Sequence, residues 1–457
     1  MKKPILFLLT LICSLSVMAS SSQPRHVTIM GLGDSITEGS DHFYSYVFPL
    51  WELLFSHGYT NCEFIGPRQG RCRLGTIPHC GFSGKNVEFL NAHIDSIYRL
   101  YPADIVLLHA GHNHFDTEHP VPGMIASYRS IIAKIHAINP KAVIIMAKVI
   151  TSGKLPKYSY IPLLNEEIEK LVKSYHSDRI RLVDQSAGWD WQRYTIYDKV
   201  HPRLEGARKM AQVWYNELVK ILPRELYVNH VDTVVYKSGQ GQRDLTLTVY
   251  SPRVERKPVP AVVYFFAGGW QYGSPLQFVR ECYHDTKLGY KAISVDYRIA
   301  SLDKTTPADA YVDVADAYQW IVRHADSLNI DPTRIVLAGA SAGATMAAAA
   351  GMDSRLPMPA GLMLYYPVVK KIAAFVPENS RRTMPPFLFL IGDKDSFTTL
   401  ADAENFLKAQ QAKGVDVTSK VFPGAGHPLF YYRLKTTALF GQYLSASDNF
   451  LNHLKLR

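Results

Sequence analysis

Beyond its first residues the chain lacks any apolar run long enough to span a membrane, so no membrane span is expected. It also lacks low-complexity tracts and short-period repeats, which excludes solenoids, arrays and fibres. The net charge is +10, yet no dense basic run accompanies it. The lysines and arginines are dispersed, as on a solvated surface, and no nucleic-acid partner is expected. Cysteine is scarce, five in 457 residues. Cys13 lies in the N-terminal apolar run, Cys62, Cys72 and Cys80 cluster, and Cys282 stands apart. The cluster has room for one disulfide, of unassigned connectivity.

What is present begins with two lysines, an apolar run and the small-residue pattern Val17-Met18-Ala19. Residues 1–19 therefore read as a secretory signal peptide, and an exported protein is expected. Cys13 follows Ile12 rather than a small residue, which argues against lipoprotein processing. A chain of this length is too long for one ordinary core, so two domains are expected. The strand candidates "ADIVLLHAG" and "KAVIIMAKVI" flank a segment with apolar residues at helical spacing, a βαβ rhythm. The helix "LEGARKMAQVWYNELVKIL" closes this half, and Pro223 stops it. From about Tyr227 the pattern restarts with the alternating strands "LTLTVYSP" and "AVVYFFAGGW", which predict a second domain that begins antiparallel. Buried strands "YKAISVDYR", "RIVLAGAS", "GLMLYYP" and "PFLFLIGDKD" follow between helices. Both halves read as α/β, over 26–222 and 227–457.

The stretch "HVTIMGLGDSITEGS" ends a strand in a Gly-rich turn and puts Ser35 where a helix begins, as a nucleophile or merely as a cap. A serine hydrolase also needs a base, a group to orient it and donors for an oxyanion. "YDKVHP" supplies Asp198 and His201, "HAGHNHF" the Asn113 amide, and "CGFSGKN" the Gly84 N–H. In this order these blocks resemble the SGNH (GDSL-type) hydrolases, over about Val27 to Leu222. The resemblance implies a flavodoxin-like three-layer α/β/α domain with Ser35 as nucleophile, His201 as base and Asp198 as orienter. Ser35 N–H, Gly84 and Asn113 would form the oxyanion hole. One departure is that the family's G-x-N-D reads Gly111-His112-Asn113-His114. The phrases "GDSITEG", "EFIGPR" and "DIVLLHAG" look most like carbohydrate acetylesterases, including those acting on xylan. His109, His112, His114 and His119 also crowd one segment, but no H-E-x-x-H motif or carboxylate cluster accompanies them, so no metal is expected. Trp189, Trp191, Tyr194 and Tyr197 precede Asp198 and read either as a sugar-stacking surface or as core.

A second set follows. "DPTRIVLAGASAGATMAAAAG" places Ser341 in G-x-S-x-G between a strand and a small-residue helix, the context of a nucleophile elbow. "IGDKD" offers Asp395, with Asp393 as competitor, and "PGAGHP" offers His427. Gly268 and Gly269 follow a strand, where their amides can join that of Ala342 around an oxyanion. With "SVDYR", these phrases resemble the hormone-sensitive-lipase-like branch of the α/β hydrolases, over Tyr227 to Arg457. The family's H-G-G-G-W reads Phe266-Ala267-Gly268-Gly269-Trp270 here. Asp395 matches the family position after its strand and is preferred as orienter.

The expectation is an exported serine esterase acting on O-acylated carbohydrate through two Ser-His-Asp sites, without a cofactor. No triad member has to be borrowed across Pro223. The rival expectations are one silent domain that binds carbohydrate, and a lipid esterase or peptidase activity in the second half.

Overall fold

The computed structural model describes residues 26–73, 75–223, 230–239, 242–253, 255, 257–427 and 437–457. The N-terminal segment read as a signal peptide, and Tyr227, lie outside the described residues.

Seven strands build the first sheet: β1 (Val27–Gly33), β2 (Cys62–Phe64), β3 (Arg68–Cys72), β4 (Gly75–Gly81), β5 (Ile105–His109), β6 (Val143–Lys148) and β7 (Ile180–Asp184). Their order is β3-β4-β1-β5-β6-β7, with β2 pairing to β1; every pairing is parallel except that of the β3–β4 hairpin. β5 is buried along its whole length, as a strand covered on both faces must be. One apolar cluster, with Ile94, Met124 and Ile168, covers one face of the sheet. Trp51, Phe55 and Trp214 belong to a second cluster, which runs on without a break into the core of the other half. The halves therefore share apolar packing, and Arg280 of the second donates to the Thr60 carbonyl of the first at 2.7 and 3.1 Å.

The second sheet contains β8 (His230–Lys237), β9 (Leu245–Ser251), β10 (Val259–Phe265), β11 (Lys291–Val295), β12 (Ile330–Ala340), β13 (Gly361–Tyr365), β14 (Phe387–Lys394) and β15 (Val417–Gly426), in the order β15-β14-β13-β12-β10-β11-β9-β8. Only the β8–β9 and β9–β11 pairings are antiparallel. The expectation of an antiparallel beginning fails at "AVVYFF", because β10 lies parallel between β11 and β12. Its unbroken apolar run is the signature of a strand covered on both faces, which the neighbouring alternation in β9 had masked.

Cys62, Cys80 and Cys282 carry free thiols. Register explains why the cluster does not bridge. Cys62 lies beside Val27 and Cys80 beside Leu32, five residues along β1 or about 16 Å, far beyond disulfide reach. Cys72 faces Gly75 across the hairpin, five residues of β4 away from Cys80.

Two acids lie in the second core, on the helix Val279–Lys287. The Tyr264 hydroxyl donates to Asp285 at 2.6 Å and that of Tyr443 to Glu281 at 3.2 Å. Burial pushes both carboxyls up to about 7. A carboxyl raised above its unfolded value favours the folded state most below pH ~4, and that contribution is lost as pH rises through about 7. Asp285→Asn keeps an acceptor for Tyr264 and cannot ionise. Its Tm is expected to fall less than the wild type's between pH 5 and pH 8, by ~3 °C or more in thermal melts; parallel curves would contradict this.

Candidate active sites

β1 delivers the first site. It stays buried to Gly33, and the Asp34 carboxylate then caps the short helix Ser35–Glu38 by accepting the Ile36 N–H at 3.0 Å. The cap is therefore Asp34, and the Ser35 hydroxyl is free for another partner. Its Oγ lies 2.8 Å from His201 Nε2, and His201 Nδ1 lies 2.5 Å from Asp198 Oδ2. The other Asp198 oxygen accepts the N–H groups of Val200 and His201 at 2.9 and 3.0 Å. Burial works to raise the Asp198 pKa, but the hydrogen bonds from His201 and from its own loop outweigh it and hold the carboxyl below its ordinary value. Phe43 stacks on the His201 ring at 4.0 Å and fixes its plane.

Two of the donors expected at this site, Gly84 and Asn113, lie on segments tied to each other. Gly84 has φ 72° and faces open space. The Asn113 amide donates to Lys85 O at 2.9 Å, tying its own turn to the Gly84 loop. Glu38, on the helix of Ser35, accepts the Ser83 N–H at 2.5 Å from the same loop. His114, where the resemblance leads one to expect a carboxylate, stands 2.8 Å from Glu88 and 2.6 Å from Glu118. Burial works to lower its pKa, but the two glutamates outweigh it and raise it. Two carboxylates that no single motif contains thus stand against His114.

The other histidines of that segment disperse. His109 and His112 are buried, with His112 Nδ1 3.8 Å from Asp34 Oδ2. Burial holds His109 down at about 4 and His112 well below its ordinary value, and raises Asp34 to about 6. His119 ends a 3₁₀ turn. Among the described residues no group of three or more His, Cys, Asp or Glu could hold a metal ion. The aromatic run divides: Trp189 is buried and donates to Thr151 O, Trp191 and Tyr194 pack against the core, and Tyr197 alone stands out, 91 % exposed beside Asp198.

The second site is built on β12. Ser341 follows it with φ +49° and ψ −115°, a conformation costing ~1–3 kcal/mol for a non-glycine residue. Its N–H donates to Tyr365 O, and its own carbonyl accepts from the Thr345 N–H and hydroxyl. The helix Ala342–Met352 then leaves so close to β10 that a Cβ on Gly343 would lie 2.0 Å from Phe265 O. Only glycine permits that approach, which accounts for the last position of G-x-S-x-G. Ser341 Oγ lies 2.7 Å from His427 Nε2, and His427 Nδ1 lies 2.7 Å from Asp395 Oδ2. The second Asp395 oxygen accepts from the N–H groups of Phe397 and Thr398. Here too burial opposes ionisation, but the His427 contact and these N–H groups prevail and lower the pKa. Asp393 instead accepts the Gly424 N–H at 2.7 Å.

Ala342 opens the helix, so its N–H is unspent within it. Gly268 and Gly269 stand in a turn at φ 139° and 61°, and the Gly268 carbonyl accepts the N–H groups of Gln271 and Tyr272. Each serine thus sits at the C-terminal end of a parallel strand, the end at which α/β sheets bind ligands. Each arrangement can pass a hydroxyl proton to an imidazole oriented by a carboxylate.

Residues 32–209 match the model of the GDSL-like Lipase/Acylhydrolase family, and residues 262–383 that of the alpha/beta hydrolase fold. The chain is 38% identical to the carboxylesterase NlhH of Mycobacterium tuberculosis over 111 residues, 24% of this chain and 34% of that protein. It is 25% identical to a multidomain esterase of Ruminococcus flavefaciens over 231 residues, 43% of this chain and 29% of that protein. These matches thus span about a third of their relatives' lengths. A thermophilic esterase structure from Thermogutta terrifontis, Est2, aligns with TM-score 0.45 and 27% identity, covering 50% of this chain and 93% of that one.

Proposed function

Because this chain joins a domain of the GDSL-like lipase/acylhydrolase family to one of the α/β-hydrolase family, we propose that it is a carboxylic ester hydrolase with two serine sites. The observation that carries the reading is the pair of separate hydrogen-bonded chains, Ser35–His201–Asp198 and Ser341–His427–Asp395. In each, histidine takes the hydroxyl proton as Oγ attacks the ester carbonyl, and N–H donors hold the oxyanion. The proton then goes to the departing alcohol, leaving an acyl-serine. Water, deprotonated by the same histidine, releases the acid and restores the serine. Gly84 and Asn113 serve the first oxyanion, and Gly268, Gly269 and Ala342 the second.

The proposed substrate is an O-acylated carbohydrate of the plant-polysaccharide type, such as acetylated xylan. The first site removes acetyl, and the second removes acetyl or a bulkier acyl group such as feruloyl. Support comes from the blocks around Ser35 that resemble carbohydrate acetylesterases, and from Tyr197, exposed beside Asp198. Export is proposed from the N-terminal lysines and apolar run. Among the described residues no helix is long and apolar enough to cross a membrane.

Incubating the protein with native acetylated plant polysaccharide and quantifying the acids released tests the reading. Acetate release, undiminished after chelator treatment, is expected, because nucleophile, base and donors all come from the chain. Release of no acid, or restoration of a chelator-lost rate by zinc, would contradict it.

A further inference from the structure

The β3–β4 hairpin belongs to the first sheet, and its two ends face different sites. Gly81, at the far end of β4, leads into the Ser83–Gly84 loop of the first site. The opposite end, about 20 Å away along the strand, carries Arg73 into the second half. There Arg73 grips the turn that contains Gly268 and Gly269. Its Nε donates to Gly273 O at 2.8 Å, and its own carbonyl accepts the Gly273 N–H at 2.5 Å. Its guanidinium lies over the Phe266 ring, 5.8 Å from the centroid, and Nη2 pairs with Asp296.

Each of these partners bears on the turn. Gly273 closes it so tightly that a Cβ there would lie 2.3 Å from the Phe266 ring and 2.4 Å from Ala267 O. Phe266 stacks on Tyr297 at 3.9 Å, and the Tyr297 hydroxyl donates to Phe266 O at 2.6 Å. Asp296, the neighbour of Tyr297, is buried and also pairs with Arg243, which in turn holds Asp303. From inside the second half, Gln277 accepts the Ala267 N–H at 2.5 Å. Phe266 stands where the resembling family has a histidine. A phenyl ring has no polar atom with which to fix the loop, and the polar grip on its stem comes from Arg73 instead.

We infer that Arg73, supplied by the first half, is a positioning residue that holds the Gly268–Gly269 donors of the Ser341 site in the geometry of the oxyanion. The inference rests on the proposed reading of Ser341 as nucleophile. It also narrows the independence expected from sequence: the triads are separate, while one oxyanion turn is braced across the boundary. Without the Arg73 side chain, Gly273 O loses the bond from Nε and the Phe266 ring loses the guanidinium over it, leaving the backbone bond from Gly273 N–H to the carbonyl of residue 73 as the hairpin's one hydrogen bond to Gly273 among those described. Asp296 keeps Arg243, so the core around it need not collapse. Donors that drift by a fraction of an ångström stabilise the transition state far more weakly than before, with little effect on ground-state binding.

The test uses the full chain carrying Ser35→Ala, so that only the second site reports, and normalises rates to active serines titrated with an organophosphate. Arg73→Met is expected to lower kcat per titrated site by ~10- to 100-fold with KM within about threefold of the parent. Inhibition by an aliphatic trifluoromethyl ketone, whose serine adduct carries the oxyanion, is expected to weaken by a similar factor. Arg73→Lys, which keeps the charge opposite Asp296, is expected to recover part of the loss. A kcat per titrated site within twofold of the parent would overturn the inference. So would a loss carried by KM, or one that lysine does not relieve. Failure of the underlying reading looks different: ester cleavage would survive Ser341→Ala in the same background.

Discussion

Ser341→Ala is expected to abolish one ester-cleaving activity and spare the other, and Ser35→Ala to do the reverse. Each loss should reach roughly four to six orders of magnitude in kcat, because the atom that forms the acyl bond is gone and only binding and the oxyanion donors remain. Ser35, Asp198 and His201 sit on the first sheet's loops, and Ser341, Asp395 and His427 on the second's, with no hydrogen bond between the two sets among the described residues. The two pockets come from different folds and need not share an acyl preference, so the single mutants should leave different esters on a multiply acylated polysaccharide. The measurement is residual ester composition after exhaustive digestion. If Ser341→Ala alone removed every activity, the first half would be a binding or structural partner, with His114 in place of the family's carboxylate the leading reason.

Asp395→Asn should cost about 10⁴ in kcat at the second site, while Asp393→Asn should stay within about threefold of wild type. One Asp395 oxygen accepts two backbone N–H groups, which leaves the other for His427 Nδ1. An asparagine has a single carbonyl oxygen. Placed on the N–H pair, it turns its NH₂ toward Nδ1 and selects the tautomer that carries the proton on Nε2. That proton then faces Ser341 Oγ, and the imidazole cannot accept from it. Asp393 instead accepts the Gly424 N–H and has no such lever on His427 among the described residues. Steady-state kinetics on a small acyl ester checks both variants, and equal losses would contradict the assignment of Asp395.

Much of the molecule was legible because its signals are local. The buried runs of β5 and β12 carried the α/β class, and the short blocks around Ser35, Asn113 and His201 and around Ser341 carried the two family resemblances, each from a few adjacent residues. The rest depends on distant chain segments meeting. Ser35 reads from sequence as a nucleophile or as a cap; the cap is Asp34, and only the backbone decides which side chain takes that role. The cysteine cluster is close in number yet separated by strand register. Glu88 and Glu118 come from a helix and a turn on either side of His114, and no motif joins them to it. Arg73 lies 223 residues from Asp296, and nothing in its own neighbourhood marks it.

Covalent labelling tests the central claim most directly. The intact protein is reacted to completion with a fluorophosphonate, its mass is measured, and the labelled peptides are identified. Two adducts per chain are expected, one on Ser35 and one on Ser341, each absent from the corresponding alanine variant. A single adduct at saturation, on either serine, would contradict the two-site account.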